Sequence, residues 1–476
     1  MVAYARQFSQ NIGHTFTDST ILLTAISGSA ATEIGGCTSA SVYGLMRDKD
    51  DALHKDLNFF KDTRLNFVDE ISMGGYKKVL MKMSANLKNF TECRTHIYGK
   101  HPICFLGDFC QLEPVGEVGI YNTRNGIYWE QALNCMVELK GTHRFENCPD
   151  MKRIMPNLRN GVLSEEDRKI LNSRVINGRE IKKPDPMKTK YAVYGNKKRT
   201  TINADVFRNY MKTYHKGKTE SEIPLTAIVI MSTTKWKKSQ RQLSFDQRKV
   251  LFEECSEANC KIGNQMATPF LCLFAGCNLM VTQNLEVLDG IANGTTCLLR
   301  KVVLKPESQL AKIQLYSCWV NSVSIDDVEH IEVEWLDCDK FVGTFRLTSQ
   351  NGTFRVMYPI CEFGVNQRVN TNIEFRYFPV IVNHATTGHK LQGKTVASLV
   401  IAEWSKKKNW AYVVLSRVKT LDGLFMTHPI PEDIDFSPPS NYLDMMQNLR
   451  QTILATPEQV SDLKESRNYS EPIFAV

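Results

Sequence analysis

The stretch GHKLQGKT, residues 388–395, matches the phosphate-binding pattern G-x-x-x-x-G-K-[ST] letter for letter. Such a loop cradles phosphates only between a buried strand and a helix whose free N–H groups face the ligand. The upstream side meets that condition, because PVIVNH at 379–384 reads as a short strand. The downstream side does not. VASLVI at 396–401 is rich in β-branched residues, runs straight into Ala402 and Glu403, and reads as another strand. A phosphate loop also needs a later strand ending in a magnesium-holding aspartate, with room for a helix between them, and Glu403 lies too close for that. The match is expected to be a coincidence of letters. The role of these residues has to come from the rest of the chain.

At 476 residues the chain has room for about two to four domains, each with its own core. A hydrophobic share of 42% and a charged share of 23% are those of a globular protein. No apolar run approaches the ~20 residues that cross a bilayer, so no membrane partner is expected. A net charge of +8 suits a polyanionic partner without demanding one. The opening MVAYARQFSQ lacks acids, as mitochondrial presequences do, but reads as an amphipathic helix of the folded domain. Fourteen cysteines without a C-x-x-C pair read as reduced thiols of a cytosolic or nuclear protein, and the expected compartment is nucleus or mitochondrion. Cys255, Cys260, Cys272 and Cys277 are spaced more loosely than zinc ligands usually are, and the last two sit in the apolar run LCLFAGC. Small buried residues of a strand explain that pair better.

Along the first third, strands are expected at 20–25, 65–69 and 102–108, with a helix starting at Ser27. Such alternation predicts an α/β fold with parallel sheets and helices on both faces. Helical, charged sequence follows from Asp150 to about Lys182. Between about 269 and 377, short β-type runs at 298–304, 331–335 and 354–358 are punctuated by Gly, Asn and Asp, which predicts a small all-β insert. Strand-like sequence returns at 379 and continues through YVVL at 412–415, and beyond Pro438 a helix and a polar end are expected.

Three further motifs carry chemistry. NFVDEIS at 66–72 is an apolar strand that delivers Asp69 and Glu70 to its C-terminal edge, where open α/β sheets bind ligands. The first acid of such a pair can hold magnesium, and the second can orient or deprotonate an attacking water. LGDFCQLEPV at 106–115 ends a strand in Gly-Asp and places Gln111 three residues later. An amide donates and accepts at once, so it can touch both the acids and a γ-phosphate. Arg144 and Arg417 each stand at the edge of a strand-like segment, and paired arginines fork well onto phosphate.

In order, LLTAISGSAATEIGGCTSAS, VDEISM, GDFCQLEPV, LKGTHRF, YGNKKRTTIN, GCNLMVTQNLEVLDGIANGT, HATTGHKLQGKT and YVVLSRV resemble the Pif-type, RecD-related DNA helicases of superfamily one, over roughly residues 1–430. The resemblance implies two RecA-like parallel-sheet motor domains of the P-loop NTPase fold, with ATP between them and an SH3-like all-β insert in the second. The expected divisions are 1–145 for the first motor domain, 146–268 with 378–435 for the second, 269–377 for the insert and 436–476 for a C-terminal helix and tail. It also implies Mg2+ on Asp69, Glu70 as the water-activating base, and Gln111 as γ-phosphate sensor. Arg144 and Arg417 would reach the nucleotide, and Gln392 and Gly393 would approach its γ-phosphate. Thr38, Ser41, Thr386, His389 and Lys390 would lie along single-stranded DNA, and duplex DNA would be the substrate. GHKLQGKT then looks like the family's second-domain motif, with Gly388 at a variable position.

Departures accompany the resemblance. The family's true phosphate loop precedes the helix that leads to ILLTA, and here the chain begins inside that helix, which reads as an N-terminal truncation. Ala40 stands where the family tends to have histidine, the family's Phe-Gly-Gly is missing after VDEISM, and Glu113 interrupts its QLPPV. The expectation is an ATP-dependent DNA helicase moving 5′ to 3′, in repair, recombination or telomere maintenance. The alternative is an ATPase-silent single-stranded-DNA-binding protein or transposon-derived remnant. A zinc-dependent scaffold ranks below both.

Overall fold

In the computed structural model, ILLTA and LNFVD form strands β1 (Ile21–Ala25) and β2 (Leu65–Asp69). They pair in parallel, with Ile21 against Leu65 and Ala25 against Asp69. β3 (Ile103–Phe105) extends the sheet in parallel on the other side of β2. The structure describes residues 2–45, 60–122, 126–139, 141, 143–176, 184–244, 261–262, 265–266, 270–286, 291–336, 343–362 and 365–453. Cys255, Cys260, part of the expected loop near 182 and the polar end past Ile453 lie outside them. The chain divides into two units: residues 1–26, 39–163 and 435–476 in the first, and 27–38 with 164–434 in the second.

The first unit buries polar as well as apolar side chains beneath its sheet, and each polar one named here is satisfied. Thr24 Oγ1 donates to the Phe67 carbonyl at 2.8 Å and accepts from Ser39 Oγ at 3.0 Å. Asn66, wholly buried in β2, accepts from the Tyr43 hydroxyl at 3.1 Å and donates to the Pro102 carbonyl at 3.2 Å. An unpaired group there would cost about 1–3 kcal/mol, so these bonds make a polar strand interior tolerable. The C-terminal helix Ser440–Ile453 returns to this unit. Tyr442 packs on Phe109 and Tyr121, Trp129 donates to Met445 Sδ, and Arg450 grips Glu138 with two bonds at 2.7 and 3.2 Å.

The second unit holds another parallel sheet, in the order β5–β4–β6–β7, from β4 (Lys190–Val193), β5 (Ala385–Thr387), β6 (Leu399–Ile401) and β7 (Leu424–Met426). The helix Asn196–Tyr214 follows β4. Its Val206, Phe207, Tyr210 and Met211 share one core with the strands Phe270–Phe274, Asn278–Val281, Cys318–Ser324 and Val328–Trp335. The β-rich part therefore draws on its surroundings: Ala227–Met231 and Val380–Val382 supply strands to its sheets, and Thr234–Trp236 joins the hairpin of Gln350–Glu362 and Val365–Tyr377. Among the described residues no helix is long and apolar enough to cross a membrane.

Three local expectations change. The strand expected at 379–384 ends early, because the chain switches sheets at Asn383 and His384: Val380–Val382 pairs antiparallel with Asn278–Val281, and β5, just beyond, pairs in parallel with β4. YVVL at 412–415 belongs to the helix Trp410–Leu415, where Trp410, Val413, Val414 and Leu415 are buried. Burial on several sides overrides the β preference of its valines. LKGTHRF ends in a 3-10 turn, His143–Phe145, so neither candidate arginine borders a strand.

His384 marks the switch. It is fully buried, stacks on Phe274 with centroids 5.6 Å apart, and its Nε2 accepts from the Asn278 N–H at 3.3 Å. Burial, then Lys190, holds its pKa down at about 3. The unfolded chain therefore takes up a proton that the folded chain refuses, and stability is lost as pH falls from about 6.5 towards 3. At pH 5 this group alone should cost about 2 kcal/mol. Thermal denaturation of parent and His384→Gln at pH 7 and pH 5 checks it: the parent should lose more stability on acidification than the variant, and equal losses would refute the assignment.

Candidate nucleotide and nucleic-acid sites

The first unit brings the acid pair and the glutamine loop together through backbone. Past β2, the Ile71 N–H donates to the Leu106 carbonyl at 2.9 Å, and the Leu106 N–H to the Val68 carbonyl at 2.9 Å. Gly107 makes this approach feasible: a Cβ there would lie 3.1 Å from both the Ser72 nitrogen and Ile71 Cγ2. Asp69 closes a small ring, its Oδ1 accepting from the Glu70 N–H at 2.8 Å. Glu70 itself sits in the left-handed region at φ 53°, ψ 37°. A side chain there costs about 1–3 kcal/mol, and strain of this kind collects at functional positions. Both acids are half-buried at the sheet edge.

Asp108 builds the loop that carries Gln111. Its Oδ1 accepts from the Cys110 N–H at 3.0 Å and from Arg159 Nη2 at 3.1 Å, and its carbonyl accepts from the Gln111 N–H at 3.1 Å. Arg159 ends the helix Pro149–Arg159, and the Asp108 carboxylate raises its pKa against the opposing effect of burial. Sequence reading missed Arg159, since it lies 51 residues from Asp108 and no local pattern links them. Glu113, the departure from QLPPV, accepts from the Tyr121 hydroxyl at 2.5 Å and from Asn122 Nδ2 at 3.0 Å, which gives the carboxylate a structural task. Arg144 is half-buried in its 3-10 turn, and Ser41 is exposed on the short helix Ser39–Val42.

In the second unit the GHKLQGKT segment is not a phosphate loop. β5 runs into a single helical turn, Gly388–Leu391, before the glycine-lysine pair. Gly393 then turns with φ +76°, and β6 follows as a strand. Thr386 is buried in β5, Gln392 is 5% exposed, and Thr38 is buried at the end of the strand Cys37–Thr38. His389 Nε2 lies 3.4 Å from Lys407 Nζ, and burial together with Lys407 holds its pKa down at about 4. Lys390 Nζ donates to Asn293 Oδ1 at 2.8 Å, and Lys394 Nζ to the Gly294 carbonyl at 2.6 Å.

Arg417 is 2% exposed. Its Nε donates to the Val413 carbonyl at 2.7 Å, Nη1 to the Leu391 carbonyl at 3.4 Å, and Nη2 to Ser416 Oγ at 2.7 Å. One guanidinium thus ties the helix Trp410–Leu415 to the Gly388–Leu391 turn. Glu403, too close to serve as a magnesium acid for that segment, accepts from the Tyr194 and Gly195 N–H groups at 2.9 and 3.0 Å. It thereby places its charge just ahead of the helix Asn196–Tyr214, whose first turn carries no acid and three cations, Lys197, Lys198 and Arg199. Cations at that end of a helix cost roughly 0.3–1 kcal/mol each, and Glu403 offsets part of this.

The fold is that of Pif1 helicases. Bacteroides Pif1 bound to single-stranded DNA matches with a TM-score of 0.62 at 17% identity, over 94% of this chain and 91% of that one. Candida albicans Pif1 helicase matches with 0.62 at 19%, over 94% and 92%. The Bacteroides helicase with ADP-AlF3 and single-stranded DNA matches with 0.62 at 18%, over 93% and 90%. No family model matches the chain, and no curated protein does.

The Arg417 geometry has a measurable consequence. Arg417→Ala removes the charge-assisted bonds of a buried guanidinium to Val413, Leu391 and Ser416, each worth roughly 1.5–3 kcal/mol at most, so its melting temperature should fall by several degrees. Arg417→Lys should recover only part of the loss, because an ammonium cannot span acceptors on two elements. An unchanged melting temperature for the alanine variant would show that these bonds carry no stability.

Proposed function

We propose that the chain is the motor of an ATP-dependent DNA helicase that moves 5′ to 3′ along single-stranded DNA and opens duplex. The observation that carries the reading is the strained Glu70 beside Asp69, bonded through backbone to the Gln111 loop, in a chain sharing its fold with Pif1 helicases solved on nucleotide and DNA. The carboxylates at this edge of β2 fit Mg2+, an ion held by one or two carboxylates plus phosphates. Asp69 would hold it, and bound there it would neutralise phosphate charge. Glu70 would take the proton of the attacking water, and Gln111 would orient that water. Arg144 would meet phosphate charge. For Arg417 to do so, its guanidinium would exchange carbonyl partners for phosphate oxygens. Gln392 and Gly393 would complete the phosphate side, while Thr38, Ser41, Thr386, His389 and Lys390 would follow the DNA strand.

A second reading, single-stranded-DNA binding without hydrolysis, is favoured by one observation. The 476 residues contain no other G-x-x-x-x-G-K-[ST], and the copy at 388–395 is a helical turn. Both readings expect DNA affinity that drops steeply with salt, by about 0.7 in log K per log salt for each phosphate gripped. Fluorescence anisotropy with a labelled oligonucleotide between about 50 and 200 mM salt should show that drop, and binding indifferent to salt would count against both. Nucleotide titration of the same chain should give weak ATP binding that Lys394→Ala leaves unchanged. Tight ATP binding lost in that variant would restore GHKLQGKT as a phosphate loop.

A further inference from the structure

The second unit carries a cationic hairpin tip that none of the motifs explains. The strand Thr234–Trp236 lies on Val365–Tyr377, with Trp236 opposite Ile373 and Lys235 opposite Glu374. The chain then reverses. The Gln240 N–H donates to the Trp236 carbonyl at 2.8 Å, the Trp236 N–H to the Arg241 carbonyl at 2.9 Å, and the Leu243 N–H to the Thr234 carbonyl at 3.0 Å. Gln240 turns in the left-handed region at φ 55°, and its Nε2 donates to the Lys237 carbonyl at 3.0 Å. The Lys237 N–H donates to the Asn372 carbonyl at 3.0 Å, and Thr234 and Leu243 are buried at the base. Backbone bonds thus fix the tip, while Lys237, Lys238, Ser239, Gln240, Arg241 and Gln242 are exposed on it. Lys235 has a carboxylate across from it, but no Asp or Glu occurs from Ile223 to Phe245, so the three outer cations meet no acid of their own segment.

We infer that Lys237, Lys238 and Arg241 form a contact surface for the phosphate backbone of duplex DNA. The inference rests on the nucleic-acid reading above and adds residues outside those named there. Cations on a fixed backbone lose less freedom on binding than cations on a loose loop, which suits a polyanion. The form of the polyanion follows from what the tip lacks. Single strands are held in large part by stacking of bases on aromatic rings, and Trp236 is half-buried in the sheet while the exposed positions carry no ring. Lysine, arginine, serine and glutamine side chains are the types that bond phosphate oxygens. A duplex presents those oxygens at regular spacing and asks for no stacking.

Anisotropy titrations of the full chain, with a labelled blunt-ended duplex and separately with a labelled single strand, test the surface. Lys237→Gln, Lys238→Gln and Arg241→Gln combined should weaken duplex binding about ten-fold or more and flatten the log K against log salt slope by roughly 0.9 for each phosphate released. Single-strand affinity should stay within about two-fold, since that mode leans on stacking elsewhere. Lys212→Gln, Lys216→Gln and Lys218→Gln remove the same charge from exposed positions near the end of the helix Asn196–Tyr214, and should leave both affinities within about two-fold. Lys237→Arg with Lys238→Arg should keep duplex binding. The substituted side chains are exposed, so melting temperatures should match the parent, and Arg241→Gln alone should lose part of the duplex affinity even if the triple variant folds poorly. Unaltered duplex affinity and slope in the folded triple variant would overturn the surface and leave the DNA reading standing. An equal loss on the single strand, or an equal loss in the Lys212, Lys216 and Lys218 variant, would overturn it too, the first in favour of a single-strand contact and the second in favour of net charge alone. A parent chain that binds the single strand but no duplex would do the same, whereas one that binds neither would end the DNA reading itself.

Discussion

The candidate catalytic edge is set by a close approach of two backbones at Gly107. With no Cβ, Gly107 lets the strand end after β3 lie against the backbone of Ile71 and Ser72. Two parallel strands can bring their ends close, but side chains normally keep the following loops apart. Here the loops exchange backbone hydrogen bonds, Ile71 with Leu106 and Leu106 with Val68. Those bonds fix the acids of one loop relative to the glutamine of the next. Asp108, held by Arg159, sets the curvature, and Glu70 absorbs the remaining strain in its left-handed backbone. Preorganisation of this kind is how a site avoids rearranging during reaction.

The second unit solves the opposite problem, holding positive charge where the fold would rather not have it. Arg417 is solvated by carbonyl oxygens in place of water, and those bonds tie the Gly388–Leu391 turn to the helix Trp410–Leu415. The turn carries His389, which burial and Lys407 keep neutral, and Lys390, which burial and two cations weaken as a base. Glu403 holds the Tyr194 and Gly195 N–H groups just ahead of the long helix.

Much of this was legible from residues alone, and for identifiable reasons. Apolar strands ending in acids or Gly-Asp announced β2 and β3, because burial and edge chemistry are both written locally. VASLVI excluded a helix after GHKLQGKT, although only Leu399–Ile401 became regular strand. YVVL misled, since its valines are buried in a helix by neighbours that lie far off in sequence. The sheet switch at Asn383 and His384 left no local mark either, because a histidine buried neutral reads like any other. Arg159 was invisible for the same reason: its partner Asp108 comes from another segment, and a lone arginine has no period. Glu403, excluded as a magnesium acid by its spacing, accepts instead from the Tyr194 and Gly195 N–H groups.

The central claim is that Asp69, Glu70 and Gln111 form a helicase's hydrolytic edge. It is tested most directly on a form that carries a strand and a G-x-x-x-x-G-K-[ST] loop ahead of the helix Val2–Asn11, with ATP hydrolysis measured with and without single-stranded DNA. Hydrolysis should require DNA, and Glu70→Gln should remove it while leaving DNA affinity unchanged. Hydrolysis that ignores DNA, or that survives the loss of the Glu70 carboxylate, would mean that the edge built by Gly107 is not where the chemistry happens.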